Sequence, residues 1–318
     1  QQTVQYGAHF LSEHPAFMGA LTRDQQQVRD ILSPYDLLIV LGADVLRMSV
    51  WAPVEPLPEG MPIVQIGQRD WEMGKNFPTE MAVRADIKET LKAFNPVLKE
   101  RGGVERTARA KLNLDKLANN NWSAKRKTLT DKLKADMEGG VIDPSWMIMK
   151  VIDTMPKDTI IVDEGIVSTR ALTALLPYRD PTSLFGMASG GIGWGACGVQ
   201  AAYPDRPVIA IIGDGSSMYS IQALWTAANQ KLPINYIICD NAGYRIIKER
   251  LFAFHGSQNF IGMDFKEPAV DFVGLAQSVG VPAVRVNEHA ELVPALEAAL
   301  RNSKGPNLIS VTVDRGRF

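Results

Sequence analysis

Two runs of branched apolar residues constrain the fold of this chain more than any other feature. Residues 208–212 read VIAII and residues 234–239 read INYIIC, so both are almost continuously apolar. Such runs are typical of strands covered on both faces, as parallel strands between two layers of helices are. They predict a parallel β-sheet, and each run is followed at once by acidic or amide side chains and glycine.

The second half of the chain alternates strand and helix candidates. Asp143 is well placed to cap a helix that begins at Pro144, and this marks the start of a domain that we predict over residues 143–318. Strands are predicted at residues 159–162, 208–212, 234–239 and 308–313, with helices at 219–230 and 290–301 among the segments between them. This alternation predicts a doubly wound parallel sheet.

The first third of the chain predicts a second, smaller parallel sheet. Apolar runs at residues 35–45 and 61–67 contain glycine at or near their ends, and helical patterns lie before the first and after the second. We predict an α/β domain over residues 1–98, incomplete at its N-terminus because the pattern begins without a strand. The predicted fold class is therefore α/β, with two doubly wound parallel-sheet domains.

Residues 99–142 are dense in Lys, Arg and Asn without a persistent apolar face, so we interpret them as a charged connector. A basic nucleic-acid surface is the disfavoured alternative, because no aromatic platform accompanies the charge. The net charge of −1 gives no general attraction to nucleic acid or to an anionic membrane. The only two cysteines lie in apolar stretches, which argues against the disulfide framework of a secreted protein, and no apolar run approaches the roughly 20 residues of a membrane span. We expect a cytoplasmic protein that binds neither nucleic acid nor membrane.

The polar residues after the two central runs carry the chemistry. Asp214 follows the first run and Asn241 follows the second, and they would converge if the two strands are neighbours. Carboxylate and amide oxygens suit Mg²⁺, and the Gly243 carbonyl could be a third ligand. Gly215, Ser216 and Ser217 stand at a helix entrance, where N–H groups and hydroxyls bind an anion. The pattern predicts a phosphate or diphosphate bridged by Mg²⁺.

A rival interpretation lies just upstream. Residues 191–196 read GIGWGA, which matches a dinucleotide-binding fingerprint, and Asp214 lies about where a ribose-binding acid would follow. The fingerprint should directly follow a buried strand, whereas the preceding LFGMASG is short and interrupted by Gly and Ser. It also leaves Asn241 unexplained, so the diphosphate interpretation is preferred.

The segments GDGS and DNAGY resemble the diphosphate–Mg²⁺ motif of thiamine diphosphate (ThDP) enzymes. Residues 203–233 are most similar to 2-oxo acid decarboxylases of the benzoylformate decarboxylase type. Residues 12–21 and 35–53 resemble the central domain of the family, and residues 143–315 resemble its diphosphate-binding domain. The resemblance implies Mg²⁺ held by Asp214, Asn241 and the Gly243 carbonyl.

The resemblance also implies a set of cofactor contacts, namely Gly165, Ser168, Gly190, Ile192, Gly215, Ser216, Ser217 and Tyr244. The Gly190 carbonyl would accept a hydrogen bond from the 4′-amino group of the cofactor, and Ile192 would be the apolar wedge that bends it. Residues 244–250 would form a helix over the site, with Ile246 or Ile247 near the substrate.

The activity implied is non-oxidative decarboxylation of a 2-oxo acid, with carboligation to an aldehyde as a further outcome. The alternatives are an acetolactate synthase-like or aldehyde-lyase carboligase, or a non-catalytic ThDP-binding subunit. Family active sites form between subunits, so a homodimer or homotetramer is expected. The activating Glu of the family is expected on a pyrimidine-binding domain, in the same or another chain, to which no stretch here is similar.

Proton-transfer residues are not assigned by the pattern. The decarboxylases resembled have a His in the stretch aligned with RMSVWAP, where this chain has Ser49, so benzoylformate itself is not predicted as the substrate. Ser49 and His255, the histidine that follows the predicted roof helix, are the two candidates. The sequence does not identify which 2-oxo acid is used.

Overall fold

The computed structural model describes residues 7–22, 24–46, 48, 52–135, 140–186 and 195–316. The chain divides into two compact units, one of residues 1–5 and 15–121 and the other of residues 6–14 and 122–318. Within the described ranges, no helix is both long enough and apolar enough to cross a membrane.

The smaller unit contains a three-stranded parallel sheet. Its elements are α1 (Gln25–Leu32), β1 (Leu38–Leu41), β2 (Ile63–Gly67), a short 3-10 helix (Asp70–Glu72), β3 (Met81–Arg84) and α2 (Ile87–Leu117), and the strand order is β1-β2-β3. Helix α1 begins after Asp24, whose carboxylate accepts the N–H of Gln27. Val28 and Leu32 of this helix are buried in a cluster with Leu46.

The residues of the predicted connector are largely helical. Helix α2 extends into them and α3 (Trp122–Ala135) follows. Helix α2 is interrupted at Gly103, whose φ of 62° is readily adopted by glycine. No side chain of α2 is buried, in keeping with a solvated segment. The boundaries of the predicted domains, at residues 98 and 142, stay predictions.

The larger unit contains a six-stranded parallel sheet. Its remaining elements are α4 (Pro144–Thr154), β4 (Ile160–Glu164), α5 (Leu172–Leu175), β5 (Leu184–Gly186), α6 (Ala196–Ala202), β6 (Val208–Gly213), α7 (Asp214–Ser217), α8 (Ala223–Asn229), β7 (Ile234–Asp240), α9 (Arg245–His255), α10 (Phe272–Ser278), β8 (Ala283–Val286), α11 (His289–Arg301) and β9 (Asn307–Thr312). The strand order is β5-β4-β6-β7-β9-β8, and every pairing is parallel.

Both faces of this sheet are covered by helices. Alternate side chains of a strand point to opposite faces, and Ile209 and Ile211 of β6 are buried in the cluster that includes α4 and α11. Val208, Ala210 and Ile212 are buried in the cluster that includes α8 and α10. The apolar runs are thus covered on both sides, and the predicted α/β class with two parallel sheets is confirmed.

The predicted helix boundaries hold to different degrees. Asp143 caps α4, where its carboxylate accepts the N–H groups of Ser145 and Trp146, and Pro144 is the first helical residue as predicted. The helix predicted at 219–230 is shorter, because residues 218–222 form turns whose bonds run from Ala223 N to the Ser220 carbonyl rather than in the α-helical pattern.

Candidate functional site

Strands β6 and β7 are direct neighbours in the sheet, which is the condition on which the predicted convergence of Asp214 and Asn241 depends. Gly213 is paired in register with Cys239, so the two strands end side by side. The turns that follow them therefore meet at one edge, where ligands of parallel sheets collect.

Asp214 connects these two turns through its carboxylate. It is 2% exposed. Its Oδ2 accepts the backbone N–H of Asn241 at 3.0 Å and that of Gly243 at 3.1 Å. Its Oδ1 accepts the N–H of Gly215 at 2.7 Å. The predicted metal ligands therefore lie together in the larger unit.

Burial disfavours the ionised form of the Asp214 carboxyl in the unliganded protein. Burial, together with the nearby Asp240 carboxylate, raises the pKa of Asp214 to about 6, and the N–H groups of Gly215, Gly243 and Asn241 oppose this shift. A divalent cation at this carboxylate would favour the ionised form.

The donor atoms available at this edge suit Mg²⁺. Asn241 is 9% exposed, and its side chain makes no hydrogen bond to the described residues. The Gly243 carbonyl accepts the N–H of Arg245 at 2.9 Å and has a second lone pair. Among the described residues, no group of three His, Cys, Asp or Glu side chains could hold a metal. One carboxylate, one amide and one carbonyl fit a hard cation that takes few protein ligands.

The turn after β6 has room for a backbone but not for a side chain. A Cβ on Gly215 would lie 2.8 Å from Cδ1 of Tyr244, whose ring meets that of Phe265 edge-on at 4.7 Å. Ser216 and Ser217 are buried, but they differ in role. The Ser217 hydroxyl donates to the Asp214 carbonyl at 2.7 Å, so Ser216 is the serine that faces the cavity.

A cavity of about 210 Å³ lies over these turns. Its lining comes from the turns after β4, β6 and β7 and the start of α9, namely Gly165, Ile166, Val167, Gly213, Asp214, Gly215, Ser216, Tyr219, Asn241, Gly243, Tyr244, Arg245, Ile246 and Ile247. The structure therefore brings together three predicted strand ends and the predicted helix 244–250, observed as α9.

Several lining residues were not predicted as individual contacts. Ile166 has a φ of 49°, which is uncommon for a β-branched residue, and the sequence carries no sign of it. Tyr219 and Arg245 could have been found from their places directly after the two predicted motifs. Ser168, which was predicted as a contact, is 3% exposed and does not line the cavity.

Neither proton-transfer candidate, His255 or Ser49, is among the described residues that line the cavity. His255 is exposed at the last residue of α9 and does not line the cavity. Ser49, Gly190 and Ile192 lie outside the described residues, as does most of the GIGWGA segment. The roles predicted for Gly190 and Ile192 thus stay predictions.

Comparisons with protein families identify both parts of the chain. Residues 168–311 match the family model described as thiamine pyrophosphate enzyme, C-terminal TPP binding domain. Residues 2–94 match the thiamine pyrophosphate enzyme central domain.

Curated relatives are matched over most of this chain. Benzoylformate decarboxylase of Pseudomonas aeruginosa is 33% identical over 307 residues, which are 95% of this chain and 53% of that protein. Chloroplastic acetolactate synthase 1 of Nicotiana tabacum is 28% identical over 295 residues, 87% of this chain and 42% of that protein. The chain spans about half the length of the curated relatives it matches.

Two solved structures are similar to this chain over nearly its whole length. The ThDP-dependent 4-hydroxybenzoylformate decarboxylase of Rhodococcus jostii RHA1 has a TM-score of 0.75 at 28% identity, covering 96% of this chain and 54% of that one. Benzoylformate decarboxylase of Polynucleobacter necessarius has a TM-score of 0.75 at 23% identity, covering 97% of this chain and 55% of that one. At this identity the similarity supports the fold alone.

Proposed function

Because this chain belongs to the thiamine pyrophosphate enzyme family, with its central and C-terminal TPP binding domains, we propose that it is part of a Mg²⁺-dependent enzyme that decarboxylates a 2-oxo acid. The similarity to two aryl 2-oxo acid decarboxylases supports this reaction class. The substrate is a small 2-oxo acid, and an aldehyde acceptor would permit carboligation.

The observation that carries the proposal is the bonding of the Asp214 carboxylate to the turn at residues 241–243. It supports a metal site made of the Asp214 carboxylate, the Asn241 amide oxygen and the Gly243 carbonyl. The Ser216 hydroxyl and the turns that contain Gly215 and Gly165 would hold the diphosphate.

When bound, the cofactor supplies the electron sink on which a 2-oxo acid loses CO₂. The residues of this chain bind and orient it. The Tyr244 ring, packed on Gly215, fixes the spacing of the two turns, and Ile246 or Ile247 at the start of α9 lies near the substrate. The roles of Gly190 as acceptor and Ile192 as wedge belong to the same proposal.

The proposal extends to partners. The active protein is a cytoplasmic homodimer or homotetramer. The activating Glu comes from a pyrimidine-binding domain in the same or another chain.

Release of CO₂ from a panel of aryl and alkyl 2-oxo acids tests this function, with the chain supplied together with a pyrimidine-binding domain, ThDP and Mg²⁺. Turnover of at least one 2-oxo acid, abolished when ThDP is omitted, is the expected result. Absence of turnover across the panel would instead favour the non-catalytic ThDP-binding subunit.

A second candidate function is carboligation of the acetolactate synthase type, which the similarity to that enzyme over 87% of this chain favours. Product analysis separates the two functions. An aldehyde released from an aryl 2-oxo acid supports the decarboxylase, whereas acetolactate formed from pyruvate as the main product supports the synthase.

A further inference from the structure

The turn at residues 241–243 does not hold its shape alone. Ala242 has a φ of 57°, a conformation that costs energy for a residue with a side chain. A second segment is paired with this turn. Gly243 forms an antiparallel bridge with Asp264, Tyr244 N–H donates to the Met263 carbonyl at 3.0 Å, and Phe265 N–H donates to the Ala242 carbonyl at 2.9 Å.

Lys248 of α9 ties this second segment to the helix. It is only 9% exposed. Its Nζ donates to Asp264 Oδ1 at 2.6 Å and lies 5.6 Å from the centroid of the Phe260 ring. A buried ammonium is costly unless it is paired, so Asp264 is required wherever Lys248 is buried.

The ion pair directly adjoins the predicted metal ligand. A Cβ added to Gly243 would lie 2.5 Å from the Met263 carbonyl oxygen, 3.3 Å from Lys248 Nζ and 3.4 Å from Asp264 Cα. Asp264 therefore pairs with Gly243 through its backbone and with Lys248 through its side chain, and the Lys248 ammonium lies beside the space that a side chain at Gly243 would occupy. The turn, the paired segment and helix α9 are thus joined around Asp264.

We propose that the Lys248–Asp264 ion pair positions the turn at residues 241–243 to bind the divalent cation that anchors a diphosphate. Both are positioning residues, since they act through the Asn241 side chain and the Gly243 carbonyl. The inference rests on the proposed function for the identity of the cation. Asp264 has a second task, because it neutralises an ammonium that would otherwise repel a cation bound at this turn.

Hydrogen exchange of the 318-residue chain without ligands tests the positioning directly. In Lys248→Met and in Asp264→Asn, the amides of Tyr244 and Phe265 should exchange faster than in the unsubstituted chain, while amides of β6 should not change. Lys266→Met is the matched control, because its exposed ammonium lies 3.7 Å from the same Asp264 carboxylate but belongs to the paired segment itself and not to α9. Unchanged exchange at both amides in both variants would overturn the inference.

Calorimetric titration with Mg²⁺ and ThDP tests the link to the cation. Each single variant should weaken Mg²⁺-dependent binding about 10-fold to 100-fold, as loss of outer-shell partners does. The double variant Lys248→Met/Asp264→Asn should lose no more than the weaker-binding single variant, because both side chains act as one unit. Losses that multiply in the double variant would contradict the inference. If the unsubstituted chain binds no ThDP even when a pyrimidine-binding domain is supplied, the proposed function fails, and the exchange experiment still decides whether the pair positions the turn.

Discussion

Asp214 is the residue on which the candidate site depends most, because one carboxylate accepts N–H groups from both strand-end turns. In Asp214→Asn, an amide donor would face at least one of these N–H groups, and the negative charge would be lost. We expect Mg²⁺-dependent ThDP binding to weaken by more than about 100-fold, beyond the effect of outer-shell changes. Isothermal titration calorimetry measures this loss.

Asp163→Asn is the matched control for that substitution. Asp163 is a partly buried residue on the neighbouring strand β4, accepts the N–H of Gly165, and does not line the cavity. Its amide keeps an oxygen for Gly165, so the affinity for Mg²⁺ and ThDP should change little. Undiminished affinity in Asp214→Asn would rule out the metal assignment.

Asp163 makes the stability of the unliganded protein depend on pH. Burial raises its pKa from 3.8 to about 6, although hydrogen bonds from Thr169 and Gly165 oppose the shift. The pKa of Asp163 is higher in the folded protein than in the unfolded chain, so the protonated carboxyl stabilises the fold relative to the ionised one. This stabilisation is fully present below pH 3.8 and is lost as the pH rises through about 6. Two pKa units correspond to about 3 kcal/mol.

We therefore expect the change in the free energy of unfolding caused by Asp163→Asn to be more favourable at pH 8 than at pH 4. The difference between the two changes should be up to about 3 kcal/mol. Urea unfolding at both pH values measures this difference. The exposed Asp153 provides the control, because Asp153→Asn should have the same small effect at both. An equal effect of Asp163→Asn at pH 4 and pH 8 would contradict the prediction.

At the scale of elements, the turn from β6 into α7 limits side-chain choice through packing. A methyl group at Gly215 would lie 2.8 Å from the Tyr244 ring, so Gly215→Ala must move that ring or the turn. We expect a loss of about 1–3 kcal/mol in the free energy of unfolding. ThDP affinity should fall about tenfold for each 1.4 kcal/mol that the bound state loses. Thermal unfolding and calorimetric titration measure the two effects.

Gly198→Ala is the control for that variant. Gly198 lies inside helix α6, and a Cβ there meets nothing within 4 Å. Replacing glycine in a helix interior should stabilise the protein by up to about 1 kcal/mol and leave ThDP binding unchanged. Equal behaviour of the two alanine variants would mean that Tyr244 does not rest on Gly215.

The sequence predicts the elements of this site better than its contacts. Continuous apolar runs identified β6 and β7, and the residues after them identified Asp214 and Asn241, because burial and parallel pairing leave a direct sequence pattern. The pairing of Ala242 with Phe265 left none, since it joins segments through backbone bonds that any residue can make. The burial of Ser168 left no sequence pattern either, because tertiary packing decides it, and its role as a cofactor contact stays a prediction.

At the scale of the whole molecule, the two units have separate hydrophobic clusters. Every described residue that lines the candidate cavity belongs to the larger unit, of residues 6–14 and 122–318. A ligand that binds only the folded form of one unit stabilises that unit by mass action.

We expect ThDP with Mg²⁺ at 100 times the dissociation constant to stabilise the larger unit by about 2.7 kcal/mol. Hydrogen exchange of the β7 amides should slow accordingly, while exchange of the β2 amides in the smaller unit should stay the same. EDTA added with ThDP is the control, because removal of Mg²⁺ should abolish the protection of β7. Equal protection of β2 and β7 would contradict the prediction, because it would show that the smaller unit also responds to the cofactor although none of its described residues lines the cavity.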